Sequence, residues 1–309
     1  MDEKQGIVII AGPTATGKTG RSIELALSFR GEVVNSDSRQ VYRYMDIGTA
    51  KPDHAQMNAV RHHMIDIVDP SVRFNAARYI DMADACIGEL RDRGYVPFIT
   101  GGTGLYIKAL LYGLAPIPPI DDAVRSAIRD QHRLYGNEAL YERLKQADPD
   151  DASRIRVTDS YRIIRALEVF TATGTSLHAY AARHGFSRKR YSYTYIVLYD
   201  SDRSRYHAAI DARTDSMVEK GLIDEVKWLI DKGYDRDLPA MRTVGYTEII
   251  DYLHKKTDLT TAVALIKKHT KAYAKRQVTW FKGIKDALWV DMQDGNDRLN
   301  ELVKRAIHA

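Results

Sequence analysis

The chain has 309 residues, 44% of them hydrophobic and 28% charged, which suits one large domain or a core domain carrying a smaller one. No apolar run approaches the roughly 20 residues that a membrane span needs, and residues 7–10 are too short a run for a secretion signal. A single cysteine, Cys86, excludes an internal disulfide framework, so a reducing cytoplasmic setting is expected, and the net charge of +5 carries information only through where it is concentrated.

In chain order, residues 7–12 read as a strand, followed by a Gly-rich loop and a helix over about 18–29. A second strand is expected at 32–36. Ala76, Ile80, Ala83, Ile87 and Leu90 recur at helical spacing and predict a helix over 76–93. A third strand at 96–100 runs into Gly101-Gly102-Thr103-Gly104, and another helix starts near Leu105. This alternation predicts a parallel sheet with helices on both faces.

Pro116, Pro118 and Pro119 interrupt that pattern. Helices are expected over 121–135, 138–146 and 159–171, and a strand over 191–198 rejoins the sheet. Helices then follow over 204–232, interrupted near Gly221, over 245–253 and over 259–281, with a last strand at 287–290. The fold class expected is α/β: a P-loop NTPase-like parallel sheet flanked by helices, built from residues 1–119 and 191–309, with a helical insertion domain at 120–190.

Gly12-Pro13-Thr14-Ala15-Thr16-Gly17-Lys18-Thr19 fits G-x-x-x-x-G-K-[ST] between a strand and a helix. Loop amides and the positive end of the helix favour a phosphate there, Lys18 adds a mobile cation, and the Thr19 hydroxyl can hold Mg2+. A nucleotide triphosphatase also needs a magnesium-binding acid at a strand end. Residues 96–100 end in Gly-Gly-Thr-Gly instead, which argues for phosphate without arguing for ATP. Asp37 follows the second strand. In an open parallel sheet the loop, Asp37 and Thr103 should converge at the C-terminal strand ends. The bland alternative for Asp37 is a turn or capping aspartate.

No acid lies between Asp258 and Asp286, while Lys267, Lys268, Lys271, Lys275, Arg276, Lys282 and Lys285 do. Lys267, Lys271 and Lys275 recur every four residues, as a basic helix face would, and Trp280 and Phe281 follow where a base could stack. A solvated face with core aromatics is the competing reading, and it should hold for most single lysines and for one of the two aromatics. His62-His63 reads as structural, because adjacent residues do not share a helix face and no cysteine partners them. Cys86 belongs with the apolar helix set. Arg213 is open between a surface arginine and a clamp on a diphosphate.

Taken together, several segments resemble the tRNA dimethylallyltransferases, also called tRNA isopentenyltransferases. They are Gly-Pro-Thr-Ala-Thr-Gly-Lys-Thr (12–19), Asp-Ser-Arg-Gln-Val-Tyr (37–42), Met-Asp-Ile-Gly-Thr-Ala-Lys-Pro (45–52), His-His-Met-Ile-Asp (62–66), Gly-Gly-Thr-Gly-Leu-Tyr (101–106), Arg-Ala-Leu-Glu-Val (165–169), Val-Gly-Tyr (244–246) and Lys-Arg-Gln-Val-Thr-Trp-Phe (275–281). The resemblance spans nearly the whole chain. It implies transfer of a dimethylallyl group from dimethylallyl diphosphate to the N6 amine of adenosine 37 in the anticodon stem-loop of a tRNA, with Mg2+ as cofactor. It implies that residues 12–19 bind the diphosphate, that Asp37 is the base on N6, that Thr103 lines the channel and that Arg213 contacts the diphosphate. It implies a tRNA surface at Asp37, Ser38, Arg39, Gln40, Thr103, Tyr161, Arg162, Arg165, Arg242, Thr243, Gly245, Lys275, Arg276, Gln277, Trp280 and Lys282. A monomer with no membrane contact is expected.

Ala209, Thr247, Lys271 and Tyr161 depart from the residues usual in the family, which bears on tRNA contacts and leaves the chemistry untouched. A transferase acting on free adenine nucleotides would not need the basic stretch. A P-loop kinase or NTPase would consume ATP. A non-catalytic RNA-binding protein would not need the loop and Asp37 together.

Overall fold

The computed structural model describes residues 6–308. By contacts the chain divides into two compact units, one made of the residues up to Leu111 and from Arg190 onward, the other of Tyr112–Lys189.

The first unit opens with β1 (Ile7–Ala11), α1 (Lys18–Ser28), β2 (Gly31–Asn35), α2 (His54–Ala59), β3 (His62–His63), α3 (Ala76–Asp92), β4 (Val96–Gly101) and α4 (Gly104–Tyr112). The second unit is helical: α5 (Asp122–Ala147), α6 (Pro149–Ala152), α7 (Ser160–Thr173) and α8 (Leu177–His184). The chain then returns with β5 (Tyr193–Tyr199), α9 (Arg203–Glu219), α10 (Leu222–Asp231), α11 (Tyr246–Leu253), α12 (Leu259–Lys282), β6 (Ala287–Asp291) and α13 (Gly295–His308).

All pairings in the six-stranded sheet are parallel, in the order β3-β2-β4-β1-β5-β6. β1, β2 and β4 are buried along their whole length, as strands covered on both faces must be, and this is why they read as continuous apolar runs rather than alternating ones. Val8, Ile10, Val33, Phe98, Ile196 and Leu198 form the sheet side of one core, against α1 and α13. A second core gathers Val41, Met45, Leu222, Val226, Tyr246, Ile249 and Ile266, joining the chain after β2 to α10, α11 and α12.

The two expected helices at 121–135 and 138–146 are the two halves of α5. Gly136 breaks it with φ 76° and ψ −174°, a conformation outside the helical region. The second unit holds its own core, with Ile128, Leu140, Leu144, Ile163 and Leu167 buried among themselves. The short β3, α2 and α6, the helix α8 and the terminal α13 are additions to the elements expected from the sequence. β3 has two residues, too few for any alternation to show.

Candidate active site

β1, β2 and β4 are neighbours, so the loops leaving their C-terminal ends meet. The first is the phosphate loop. Gly17 (φ 64°) turns it into α1, whose first residue is Lys18. Buried Thr16 closes the turn, donating from Oγ1 to the Pro13 carbonyl at 2.9 Å. Lys18 Nζ donates to the same carbonyl at 2.6 Å. Burial pushes the Lys18 ammonium down to about 7, the Arg213 guanidinium adds to this, and Asp37 opposes it.

The loop after β2 is tied to the loop after β4. Ser38 N donates to Thr103 Oγ1 at 3.0 Å, and Thr103 N donates to the Ser36 carbonyl at 3.2 Å. Asp37 Oδ1 accepts from Arg39 N at 2.8 Å and from Gln40 N at 3.4 Å. The capping role considered for Asp37 is therefore real, and it is carried by one carboxylate oxygen. Asp37 also lines a cleft of about 600 Å3 together with Lys18, Thr19, Arg213 and Gln40.

Helix α9 forms one wall. Ile210, Arg213, Thr214 and Met217 share a face and line the cleft. Arg213 is no surface arginine. Burial lowers its tendency to hold a proton, and Asp37 pulls the other way. Ile210 and Met217, with Val244 and Ile266, give the cleft apolar lining besides its phosphate loop.

Helix α12 forms another wall with Ile266, Thr270, Tyr273 and Gln277, which recur at helical spacing. Tyr273 is pushed up to about 12 by burial first and by nearby Asp37 second. It was hidden in the sequence, though it stands four residues before Gln277 and so shares its face. Gln277 is buried and turned inward: its Oε1 accepts from Thr14 N at 2.9 Å and its Nε2 donates to the Gly102 carbonyl at 2.9 Å. Tyr206 is the other unforeseen residue, its hydroxyl donating to the Thr14 carbonyl at 2.8 Å from the same side of α9 as Arg213.

The continuous basic face expected on α12 does not exist. Lys267 pairs with Asp215 at 2.6 Å and Lys271 with Asp211 at 2.7 Å, so two rungs of the lysine series meet a matching aspartate series on antiparallel α9. No acid on α9 answers the next rung, and Lys275, Arg276 and Lys282 remain exposed. Of the two aromatics, Phe281 is fully buried while Trp280 is 40% exposed. Trp280 packs against Gly104, where a Cβ would overlap the indole, which explains the glycine at that position.

Arg39, Arg242, Thr243 and Arg276 join the cleft lining. Gly12, Pro13 and Thr16 are buried behind the loop. Gly245 caps α11, its N–H donating to Glu248 Oε2 at 2.7 Å. Tyr161, Arg162 and Arg165 lie in the second unit. Tyr161 is 78% exposed, Arg162 faces Asp159 at 3.4 Å, and Arg165 donates to buried Glu168 at 3.2 Å within its own helix.

His63 Nε2 and Glu32 Oε2 are 2.6 Å apart and buried, and His62 Nδ1 lies 2.7 Å from the Val60 carbonyl. Among the described residues no group of three or more His, Cys, Asp or Glu could hold a metal. Cys86 is half-buried and burial raises its thiol. No helix among the described residues is long and apolar enough to cross a membrane.

Residues 40–284 match the IPP transferase family model. The chain is 45% identical to tRNA dimethylallyltransferase 2 of Geotalea daltonii over 94% of this chain and 89% of that one. It is 41% identical to the tRNA dimethylallyltransferase of Geobacter metallireducens, over 99% of both chains. Among solved structures, the full-length tRNA isopentenylpyrophosphate transferase of Bacillus halodurans superposes with a TM-score of 0.74 at 37% identity, covering 99% of this chain and 97% of that one. A eukaryotic dimethylallyltransferase acting on tRNA superposes with a TM-score of 0.74 at 27% identity, covering 98% of this chain and 78% of the other.

Proposed function

Since the chain belongs to the IPP transferase family, we propose that it is a tRNA dimethylallyltransferase, moving a dimethylallyl group from its diphosphate to the N6 amine of adenosine 37 in tRNA. The observation that carries this reading is one cleft in which Lys18 and Arg213 stand at a phosphate loop, Asp37 stands beside them, and Ile210 and Met217 offer an apolar wall. A diphosphate with a short hydrocarbon tail matches both kinds of lining in that cleft.

An adenine amine is a weak nucleophile, because its lone pair is delocalised into the ring. The reaction therefore depends on leaving-group stabilisation and on proton removal. As N6 bonds to the allylic carbon, the carbon–oxygen bond to diphosphate breaks and two electrons leave with that oxygen. Lys18, Arg213 and the loop amides stabilise the charge that develops there. Asp37 accepts the N6 proton through the oxygen that the turn leaves unused. The target base has to leave its stack to reach a cleft of this kind.

Thr19 lines the same cleft, and its hydroxyl is the kind of hard oxygen donor that Mg2+ takes alongside substrate phosphates and water. Mg2+ held by Thr19 and the diphosphate would neutralise part of the leaving charge. For tRNA, half-buried Arg39 and the exposed cations Arg242, Lys275, Arg276 and Lys282 form the phosphate-binding surface, with Ser38, Gln40, Thr103, Thr243 and Trp280 nearer the base. The second unit docks the anticodon arm through Tyr161 and Arg162. The enzyme acts as a monomer in the cytoplasm.

Incubation with labelled dimethylallyl diphosphate and total tRNA, followed by nucleoside analysis, tests the reading. Label should appear in N6-dimethylallyladenosine without ATP. Turnover that consumes ATP stoichiometrically, or label found only on free nucleotides, would overturn it.

A further inference from the structure

We propose that Gln277 and Tyr206 are positioning residues which clamp Thr14, so that the seating of RNA on α12 sets the shape of the phosphate loop. This rests on the reading that the loop holds a diphosphate.

Both backbone groups of Thr14 are held by side chains from distant helices. Its N–H donates to Gln277 Oε1 and its carbonyl accepts from Tyr206, each bond under 3.0 Å. The Thr14 amide is thereby taken out of the phosphate cradle, and the two peptide planes that flank Thr14 are each held by one bond. Gln277 uses its other end on the Gly102 carbonyl, so one buried amide spans the loops after β1 and β4. Gly102 has no room for a Cβ, which would overlap Gln277 Nε2. A buried side-chain amide with both ends satisfied tolerates little displacement, because any shift leaves polar atoms without partners.

The two clamping residues do not move independently. α9 carries Tyr206 and α12 carries Gln277, and the Lys267–Asp215 and Lys271–Asp211 pairs join these helices. The residues directly before Gln277, Lys275 and Arg276, are exposed cations. A phosphate backbone drawn to them pulls on the same helical turn that holds Thr14. Tyr206 stands two helical turns from Arg213, so α9 transmits the same displacement to the second diphosphate cation. Coupling of this kind is reciprocal: the factor by which RNA tightens diphosphate binding equals the factor by which diphosphate tightens RNA binding.

The test is calorimetric titration of inorganic diphosphate with Mg2+, with and without a saturating anticodon stem-loop RNA, on the full chain. In the unaltered protein RNA should tighten diphosphate binding, and diphosphate should tighten RNA binding by the same factor. In Gln277→Met the diphosphate affinity without RNA should fall about tenfold, the size expected for lost buried hydrogen bonds. The RNA-dependent gain should vanish. With dimethylallyl diphosphate as substrate, its KM should rise more than kcat falls. Tyr206→Phe removes only a hydroxyl and should show the same pattern more weakly, which keeps the test decisive if Gln277→Met fails to fold. Diphosphate affinity indifferent to RNA in the unaltered protein, or full coupling in the variants, would overturn the clamp alone. Failure of the unaltered protein to bind diphosphate at all would overturn the functional reading and the clamp with it.

Discussion

Two loops in the first unit carry a lysine and a row of backbone amides, and they differ in how those charges are answered. In the segment 46–51, Glu225 accepts from the amides of Asp46, Ile47 and Gly48 at 2.7–3.0 Å and from the Tyr246 hydroxyl at 2.6 Å. Lys51, its side chain 3% exposed, meets the Tyr42 carbonyl at 2.7 Å, Asp46 at 2.5 Å and Asp66. The lysine and the amides there are both answered by carboxylates of the chain itself. In the phosphate loop the bracing groups are an uncharged amide and a phenol that burial keeps protonated, and among the described residues Lys18 donates to a carbonyl and to no carboxylate. The same backbone chemistry is closed off where the chain supplies the counter-ion, and is left open to a ligand where it does not.

Four measurements press on that contrast. The largest effect is expected for Asp37→Asn, which should lower single-turnover rate by about 10²–10⁴-fold, as loss of a general base does. Asparagine keeps the oxygen that caps Arg39 and Gln40, so melting temperature should hold. A lowered melting temperature with near-normal turnover would assign Asp37 to the loop alone.

Lys18→Met should lower turnover by about 10²–10³-fold, the scale of one lost charge-stabilising donor. Metal-free and substrate-free, the same variant should be more stable than the parent near neutral pH. The lysine titrates near 7 when folded and at 10.5 when unfolded, so between those values the unfolded chain binds more protons. The parent therefore gains stability as pH rises through that window, and the advantage of the variant should shrink. An advantage that grows with pH would contradict the assignment.

In the closed loop the signs reverse. Glu225→Ala leaves three amides and a hydroxyl to fend for themselves and should cost about 2–3 kcal/mol of stability by denaturant titration, with little change in turnover per folded molecule. A larger loss of turnover than of stability would make segment 46–51 part of the site.

The smallest effects separate the lysines of α12. Lys275→Ala should reduce the salt dependence of RNA binding by about one unit of slope. Lys267→Ala should leave the slope alone and cost under about 1 kcal/mol of stability, as part-exposed pairs do. Equal slopes for the two variants would restore the continuous basic face.

What could be read in advance follows from the range of the interactions involved. The buried parallel strands, the glycine-rich loop and Asp37 carry local signatures, in apolar runs, turn residues and position past a strand end. The pairing of Lys267 and Lys271 with α9 does not, because it needs the acids of another helix in register. That is why an acid-free segment suggested a basic face the folded chain half neutralises. Tyr206 and the inward turn of Gln277 were illegible for the same reason, since their partners lie about 192 and 263 residues away. The partner of Arg165 is local by contrast, because Glu168 stands three residues on in the same helix.

The second unit leaves and re-enters the first at a single point. Arg190 N donates to the Leu111 carbonyl at 2.8 Å, and the Arg190 side chain holds the Leu110 carbonyl at 2.8 Å and also Asp84. The stem of the insertion is thus fastened shut by the core itself. For folding, everything between Tyr112 and Lys189 counts as a loop whose ends already touch, and the closure entropy of such a loop grows only slowly with its length. A change in the length of the helical unit is therefore expected to leave the register of β5 beside β1 as it is, since the Leu111–Arg190 closure lies outside that unit.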